Sequence, residues 1–147
     1  SAARFSARRS NSGSGAAAAR LGAPLGHDFC TINLSDNLKP AEVIERRIRL
    51  AAQADFAMAF YNPCSKSRPQ GFVRALNVLT AHCEPERLIC FARNVSRPDE
   101  TLRVCQLQHV TPDMADMRTV VIVGNSLTRQ VGRHVYTPRS YGAPAHG

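Results

Sequence analysis

Residues 55–63, Asp55-Phe56-Ala57-Met58-Ala59-Phe60-Tyr61-Asn62-Pro63, are the stretch that decides the fold. The run from Asp55 to Tyr61 is apolar without alternation and only as long as a strand, and Asn62-Pro63 stops it. Such a run needs cover on both faces, as a strand in a helix-covered parallel sheet has. Two further runs read the same way, Leu88 to Ala92 (LICFA) and Thr119 to Val123 (TVVIV), and Phe29 to Leu34 (FCTINL) reads as a short strand ahead of them. Between the first two strands, Pro40 sits where a helix can begin, and Ile44, Ile48 and Ala51 or Ala52 make one apolar stripe that ends near Gln53. A second helix carries Phe72, Leu76 and Leu79 on one face and closes near His82. Thr101 to Val110 alternates in part, as a strand with one wetter face does, and residues 16–24 (AAAARLGAP) read as a short helix. The order β-α-β-α-β-β-β predicts an α/β fold with a mixed, largely parallel sheet and flanking helices.

In sheets of this kind ligands bind beyond the carboxyl ends of the strands. The residues directly after the buried runs are therefore the candidates: Tyr61-Asn62-Pro63, Arg93-Asn94 and Gly124-Asn125-Ser126. Asn62-Pro63 can also be a plain strand terminator, Asn94 plain turn chemistry, and Arg93 a partner for a surface carboxylate.

The chain has 147 residues, 44% hydrophobic and 20% charged, enough for one ordinary domain. No apolar run reaches membrane-spanning length. The formal charge is +8, and residues 1–20 hold four arginines and no acid. Residues 1–15 have too few large apolar side chains to offset their ordering entropy and read as a disordered basic tail. Residues 16–140 read as the domain, and 141–147 as a second tail. The cysteines, Cys30, Cys64, Cys83, Cys90 and Cys105, are odd in number and irregular in spacing, so neither a disulfide framework nor a zinc site is indicated and a reducing cytoplasmic compartment is expected. No metal is expected.

Familiar chemistries fail on inspection. There is no Gly-rich turn between strand and helix to cradle a phosphate. No G-x-S-x-G elbow surrounds Ser126, and the five histidines are scattered. The nine aromatics do not interleave with basic residues, which argues against a nucleic-acid platform.

Four segments carry a resemblance: ARLGAPLGHDFCTINLSD (19–36), KPAEVIERRIRLAAQADFAMAFYNPCSKSR (39–68), ARNVSRPDE (92–100), and TVVIVGNSLTR with YTPR (119–129 and 136–139). In this order they resemble the C-terminal part of the S-adenosylmethionine-dependent tetrapyrrole methylases of cobalamin biosynthesis, in the branch that methylates C17 of precorrin-3B. The resemblance implies a two-domain enzyme that holds S-adenosyl-L-methionine between its domains, methylates C17 and contracts the ring to give precorrin-4. The Gly-rich turn and Gly-Asp-Pro loop of that family's N-terminal domain are absent here, so the other half of the cleft is expected from a missing N-terminal domain, and a homodimer is the other expected association.

By position in the family pattern, the cofactor-binding residues are Tyr61, Asn62, Arg93, Asn94, Thr119 and Val120. Arg68 and Arg129, and beside them Arg139, could meet the carboxylates of the tetrapyrrole substrate. No catalytic acid or base is implied, because methyl transfer from a sulfonium needs alignment and exclusion of water more than proton transfer. The pattern favours Thr where Lys39 stands, and Lys cannot cap a helix, so Lys39→Thr is expected to stabilise by about 1 kcal/mol. Two rival readings stand beside this one: a truncated relative that binds nothing, and an RNA-directed methylase of the same superfamily.

Overall fold

The computed structural model describes residues 22–23, 28–37, 39–63, 70–132 and 134–138. The tails expected at 1–15 and 141–147, most of the helix expected at 16–24, Cys64, Arg68 and Arg139 lie outside the described residues. The elements are β1 (Gly22–Ala23), β2 (Phe29–Asn33), α1 (Ala41–Gln53), β3 (Ala57–Tyr61), α2 (Gly71–His82), β4 (Leu88–Arg93), β5 (Thr101–Gln106), β6 (Thr119–Val123), β7 (Arg129–Val131) and β8 (His134–Tyr136). Two short 3-10 turns, Leu107–His109 and Pro112–Met114, join β5 to β6.

The main sheet has the order β2-β3-β6-β4-β5. β2 and β3 pair in parallel, while β6 runs antiparallel to both β3 and β4, and β5 antiparallel to β4. Thus β2, β3 and β4 share one direction, as the helical crossovers require. Only one neighbouring pair is parallel, because β6 enters between β3 and β4 from the opposite side. After β5 descends, the 3-10 turns pack against α2 and return the chain to the upper edge, where β6 starts opposite Arg93.

Both faces of the sheet are covered, as the unbroken apolar runs require. On one face Met58, Phe60, Ile89, Phe91, Val121 and Val123 pack against Ile44, Ile48, Ala51 and Ala52 of α1 and Phe72, Ala75 and Leu79 of α2. Phe72 meets Phe91 edge to face, with centroids 6.0 Å apart. The other face is lined by small residues, Ala57, Ala59, Cys90 and Ala92, with Ile122, and β8 reaches this layer through Val135. β8 lies between β1 and β7 in a second, three-stranded sheet. Gly22 and Ala23, expected at a helix end, are instead the strand β1, paired in parallel with β8.

The helix start corrects one expectation. Pro40 is the N-cap, extended at φ −61° and ψ 149°, and its carbonyl accepts from Val43 and Ile44. Lys39 lies one residue outside, so a hydroxyl there cannot take up the orphan N–H groups of the first turn. At the other end Asp55 has φ 62°, with Asp55 N–H bonded to the Ala52 carbonyl and Phe56 N–H to the Ala51 carbonyl. This is a Schellman ending in which Asp occupies the left-handed position that usually falls to Gly.

Candidate cofactor-binding edge

Strand direction decides which candidates meet. β2, β3 and β4 end, and β5 and β6 begin, at one edge of the sheet, so Asn33, Tyr61-Asn62, Arg93-Asn94 and Thr119-Val120 share that edge. Arg93 pairs in register with Thr119, and Ala92 with Val120. β3 and β4 flank β6, so their ends stand two strand spacings apart, about 10 Å. This is the span of a nucleoside.

Local chemistry holds each group in place. Asn62 and Asn94 follow their strands in the left-handed conformation, at φ 54° and 53°, which Asn tolerates better than most residues and which turns the chain sharply off the sheet. Asn62 Nδ2 donates to Asn33 Oδ1 at 3.1 Å, and Leu34 N–H donates to the Tyr61 carbonyl at 3.0 Å, tying the ends of β2 and β3 together. Arg93 Nε donates to Asp116 Oδ2 at 2.6 Å, and Thr119 Oγ1 and Arg118 N–H both donate to Asp116 Oδ1 at 2.9 Å. Partial burial pushes the Asp116 carboxyl up, but the hydrogen bonds from Arg93, Arg118 and Thr119 hold it below its ordinary value. The Arg93 guanidinium is exposed, fixed at Nε, with its outer edge turned to solvent.

Asn94 is 4% exposed. Its Nδ2 donates to Asp99 Oδ2 at 2.9 Å and its backbone N–H to the Arg118 carbonyl at 3.1 Å, yet its buried Oδ1 has no partner. A buried acceptor without a partner is uncommon in a folded protein and marks a place where a donor fits. The amides of Asn33 and Asn62, one oriented guanidinium and this acceptor suit a ligand with N–H donors and a carboxylate. S-adenosylmethionine has that donor set.

Gly124-Asn125-Ser126 does not join them. β6 runs opposite to β3 and β4, so its end lies at the far edge, where Ser126 donates from N–H (2.8 Å) and Oγ (2.5 Å) to the Asp55 carboxylate. Arg87, 5% exposed, donates to the Gly124 carbonyl at 3.0 Å and to both Glu84 carboxylate oxygens at 2.6 and 3.0 Å, and stands 3.8 Å from Asp55. Asn125 N–H donates to Thr128 Oγ1, Leu127 N–H to Asn125 Oδ1, and the Thr128 and Thr137 hydroxyls bond to each other. A Cβ on Gly124 would lie 2.6 Å from Thr128 Cβ. The motif is a packed turn that joins the main sheet to β7. Arg129 lies on the same far side, its Nη1 donating to the Ser126 and Thr128 carbonyls.

The described cysteines offer no nucleophile. Burial pushes the Cys90 thiol up to about 12 and raises Cys30, Cys83 and Cys105. Among the described residues no group of three or more His, Cys, Asp or Glu could hold a metal ion, and no helix is long and apolar enough to cross a membrane.

Asn33, Asp99 and Asp116 were not among the sequence candidates. Asn33 had a readable signal, because each of the three like-directed strands is followed or ended by Asn. Asp116 had none, since it reaches Arg93 across a loop remote in sequence.

The chain is 51% identical over 131 residues to a precorrin-3B C(17)-methyltransferase of Sinorhizobium sp, covering 86% of this chain and 52% of that protein. The crystal structure of the methyltransferase CobJ superposes with a TM-score of 0.81 at 65% identity, over 84% of this chain and 52% of that one. The chain is similar to the C-terminal part of the precorrin-3B C(17)-methyltransferases. It spans about half the length of the Sinorhizobium relative. It is also 43% identical over 134 residues to the cobalamin biosynthesis protein CobIJ of Mycobacterium tuberculosis, covering 86% of this chain and 26% of that protein. A cobalt precorrin-4 methyltransferase, CbiF, shares the fold at a TM-score of 0.53 and 14% identity, over 74% of this chain and 47% of that one. No family model matches.

Proposed function

We propose that this chain forms one wall of an S-adenosylmethionine site in an enzyme that methylates C17 of precorrin-3B and contracts the ring to precorrin-4 in cytoplasmic cobalamin biosynthesis. The observation that carries the reading is the meeting of Tyr61-Asn62, Arg93-Asn94 and Thr119-Val120 at one edge of the sheet. When bound, S-adenosylmethionine supplies an electrophilic methyl group on a sulfonium. The chain's own residues bind and orient. Arg93, steadied by Asp116, offers its outer guanidinium edge to a carboxylate. Asn62 and the backbone entering β6 at Thr119 and Val120 offer amide and peptide groups to the nucleoside. Tyr61, half-buried at the end of β3, excludes water from one side. The opposite wall comes from an N-terminal domain or from a second copy of the chain. Arg68 is offered to a carboxylate of the tetrapyrrole. Arg129 stands apart from that role, at the far edge, where one of its amino groups is already bonded to its own turn.

Isothermal titration with S-adenosylhomocysteine tests this. Saturable binding that weakens roughly tenfold in both Asn62→Ala and Arg93→Ala is expected, the loss of about one hydrogen bond each. A chain that melts cooperatively yet gives no heat at millimolar ligand overturns the reading.

A further inference from the structure

We propose that Asn94 Oδ1, its orientation fixed by Asp99, accepts a hydrogen bond from the exocyclic amine of the cofactor's adenine and thereby selects adenine over a 6-oxo purine; this rests on the cofactor reading above. The amide of Asn94 is almost fully buried, and three of its four neighbouring polar groups are spoken for. Its Nδ2 is held by Asp99, its backbone N–H by the Arg118 carbonyl, and its backbone carbonyl receives Arg97 N–H at 3.0 Å. Only Oδ1 lacks a donor. The amide cannot turn over to relieve this, because inversion would set Oδ1 against the Asp99 carboxylate, acceptor to acceptor. Asp99 therefore makes the vacant position an acceptor and nothing else.

Hydrogen bonds close the loop around it. Asn94 and Ser96 both have positive φ, at 53° and 69°, and the turn is closed by Ser96 N–H to Glu100 Oε1 at 2.7 Å and Glu100 N–H to the Arg97 carbonyl at 3.0 Å. An acceptor held this firmly discriminates by donor position. S-adenosylmethionine has two nitrogen donor groups, the adenine amine and the ammonium of its amino-acid tail. Asn94 lies between Ala92 and Val95, which belong to the apolar layer on the small-residue face. A charged ammonium would have to shed its water beside them, whereas the aromatic amine is neutral and attached to a flat ring. The other buried amide atom without a partner among the described residues, Asn125 Nδ2, belongs to the packed turn at the far edge, away from the strand ends where the candidates meet. Position, added to the missing partner, singles out Asn94.

The test is calorimetric, with S-adenosylhomocysteine and S-inosylhomocysteine, which differs in carrying a carbonyl in place of the amine. Wild-type chain is expected to bind the adenine compound at least tenfold more tightly. Asn94→Gly, which accepts the left-handed backbone, should lower that preference to near unity while leaving the inosine compound's affinity within about twofold. Asp99→Asn, which frees the amide to invert, should shrink the preference while both compounds still bind. Equal wild-type affinity for the two compounds, or a preference that survives Asn94→Gly, overturns the inference and leaves the cofactor reading standing. Equal weakening of both compounds in Asn94→Gly assigns the residue to loop structure and also overturns it. If Asn94→Gly does not fold, an unchanged preference in Asp99→Asn does the same. A folded wild-type chain that binds neither compound removes the cofactor reading and this inference together.

Discussion

Arg87→Met should be among the most damaging single changes to the described chain. Methionine keeps the apolar stem but removes the guanidinium, which is buried at the far edge and donates to the Gly124 carbonyl and both oxygens of Glu84. The Gly124 bond is charge-assisted and buried, worth about 1.5–3 kcal/mol, and its loss leaves a carbonyl without a donor. The Glu84 pair contributes less, about 1 kcal/mol or below, because that carboxylate is 43% exposed and water replaces the lost partner. The expected loss is about 3 kcal/mol, or roughly 6–12 °C in melting temperature for a chain of this size. Glu84→Gln, by contrast, leaves Arg87 bonded to Gly124 and near Asp55, and should cost about 1 kcal/mol. Urea and thermal melts followed by circular dichroism give both numbers. A loss below about 1 kcal/mol in Arg87→Met, or equal losses in the two variants, would show that the buried donation to Gly124 is not what secures this edge.

Three further outcomes follow from neighbouring features. Gly124→Ala drives a Cβ to within 2.6 Å of Thr128 Cβ and Oγ1 and 2.7 Å of its Cγ2 and should cost about 1–3 kcal/mol; a variant that melts like the wild type would contradict the clash. Lys39→Thr should leave the melting temperature unchanged, since Pro40 is the cap; a rise matching about 1 kcal/mol would put the helix start one residue earlier. Asp116 titrates below its ordinary value in the fold, so its contribution is full above the unfolded pKa of about 4 and is lost as pH falls through the lower folded value. Asp116→Asn should therefore flatten part of the stability loss below about pH 4 in acid melts, and an unchanged acid limb would exclude the Arg93–Asp116 contact from it.

Unbroken apolar runs made β3, β4 and β6 legible from the sequence, and the stripes of Ile44, Ile48 and Phe72, Leu79 did the same for the helices. Periodicity reports how many faces of an element are buried. It says nothing about which strand lies beside which, or in which sense. That is why Asn62 and Asn94 lie at one edge while Gly124-Asn125-Ser126, read by the same rule, belongs to the opposite edge: the rule presumes a common direction, and β6 lacks it, so that its start at Thr119, singled out by the resemblance alone, takes the place beside them. The hairpin β7–β8 escaped notice because its outward positions, Arg129, Val131, His134 and Tyr136, are all exposed, leaving Val135 as the one deeply buried residue of the pair. Asp55 illustrates a further limit. A left-handed helix ending suggests Gly, whereas Asp55 stands there and its carboxylate holds Ser126 at the end of the neighbouring strand.

The place of β6 also governs how the chain can assemble. Val121 pairs with Phe60 on one side and Phe91 on the other, so the strand at the centre of the sheet meets a partner about sixty residues earlier in the chain. Such long-range pairing slows folding, because a large loop must close before its contacts form. During synthesis from the N-terminus, β2, β3, β4 and β5 emerge first as two separate hairpin-sized pairs, each with an open edge awaiting the same strand. Until residues 119–123 leave the ribosome, those edges are free to pair with a neighbour, and a chain interrupted before Thr119 would keep both of them open.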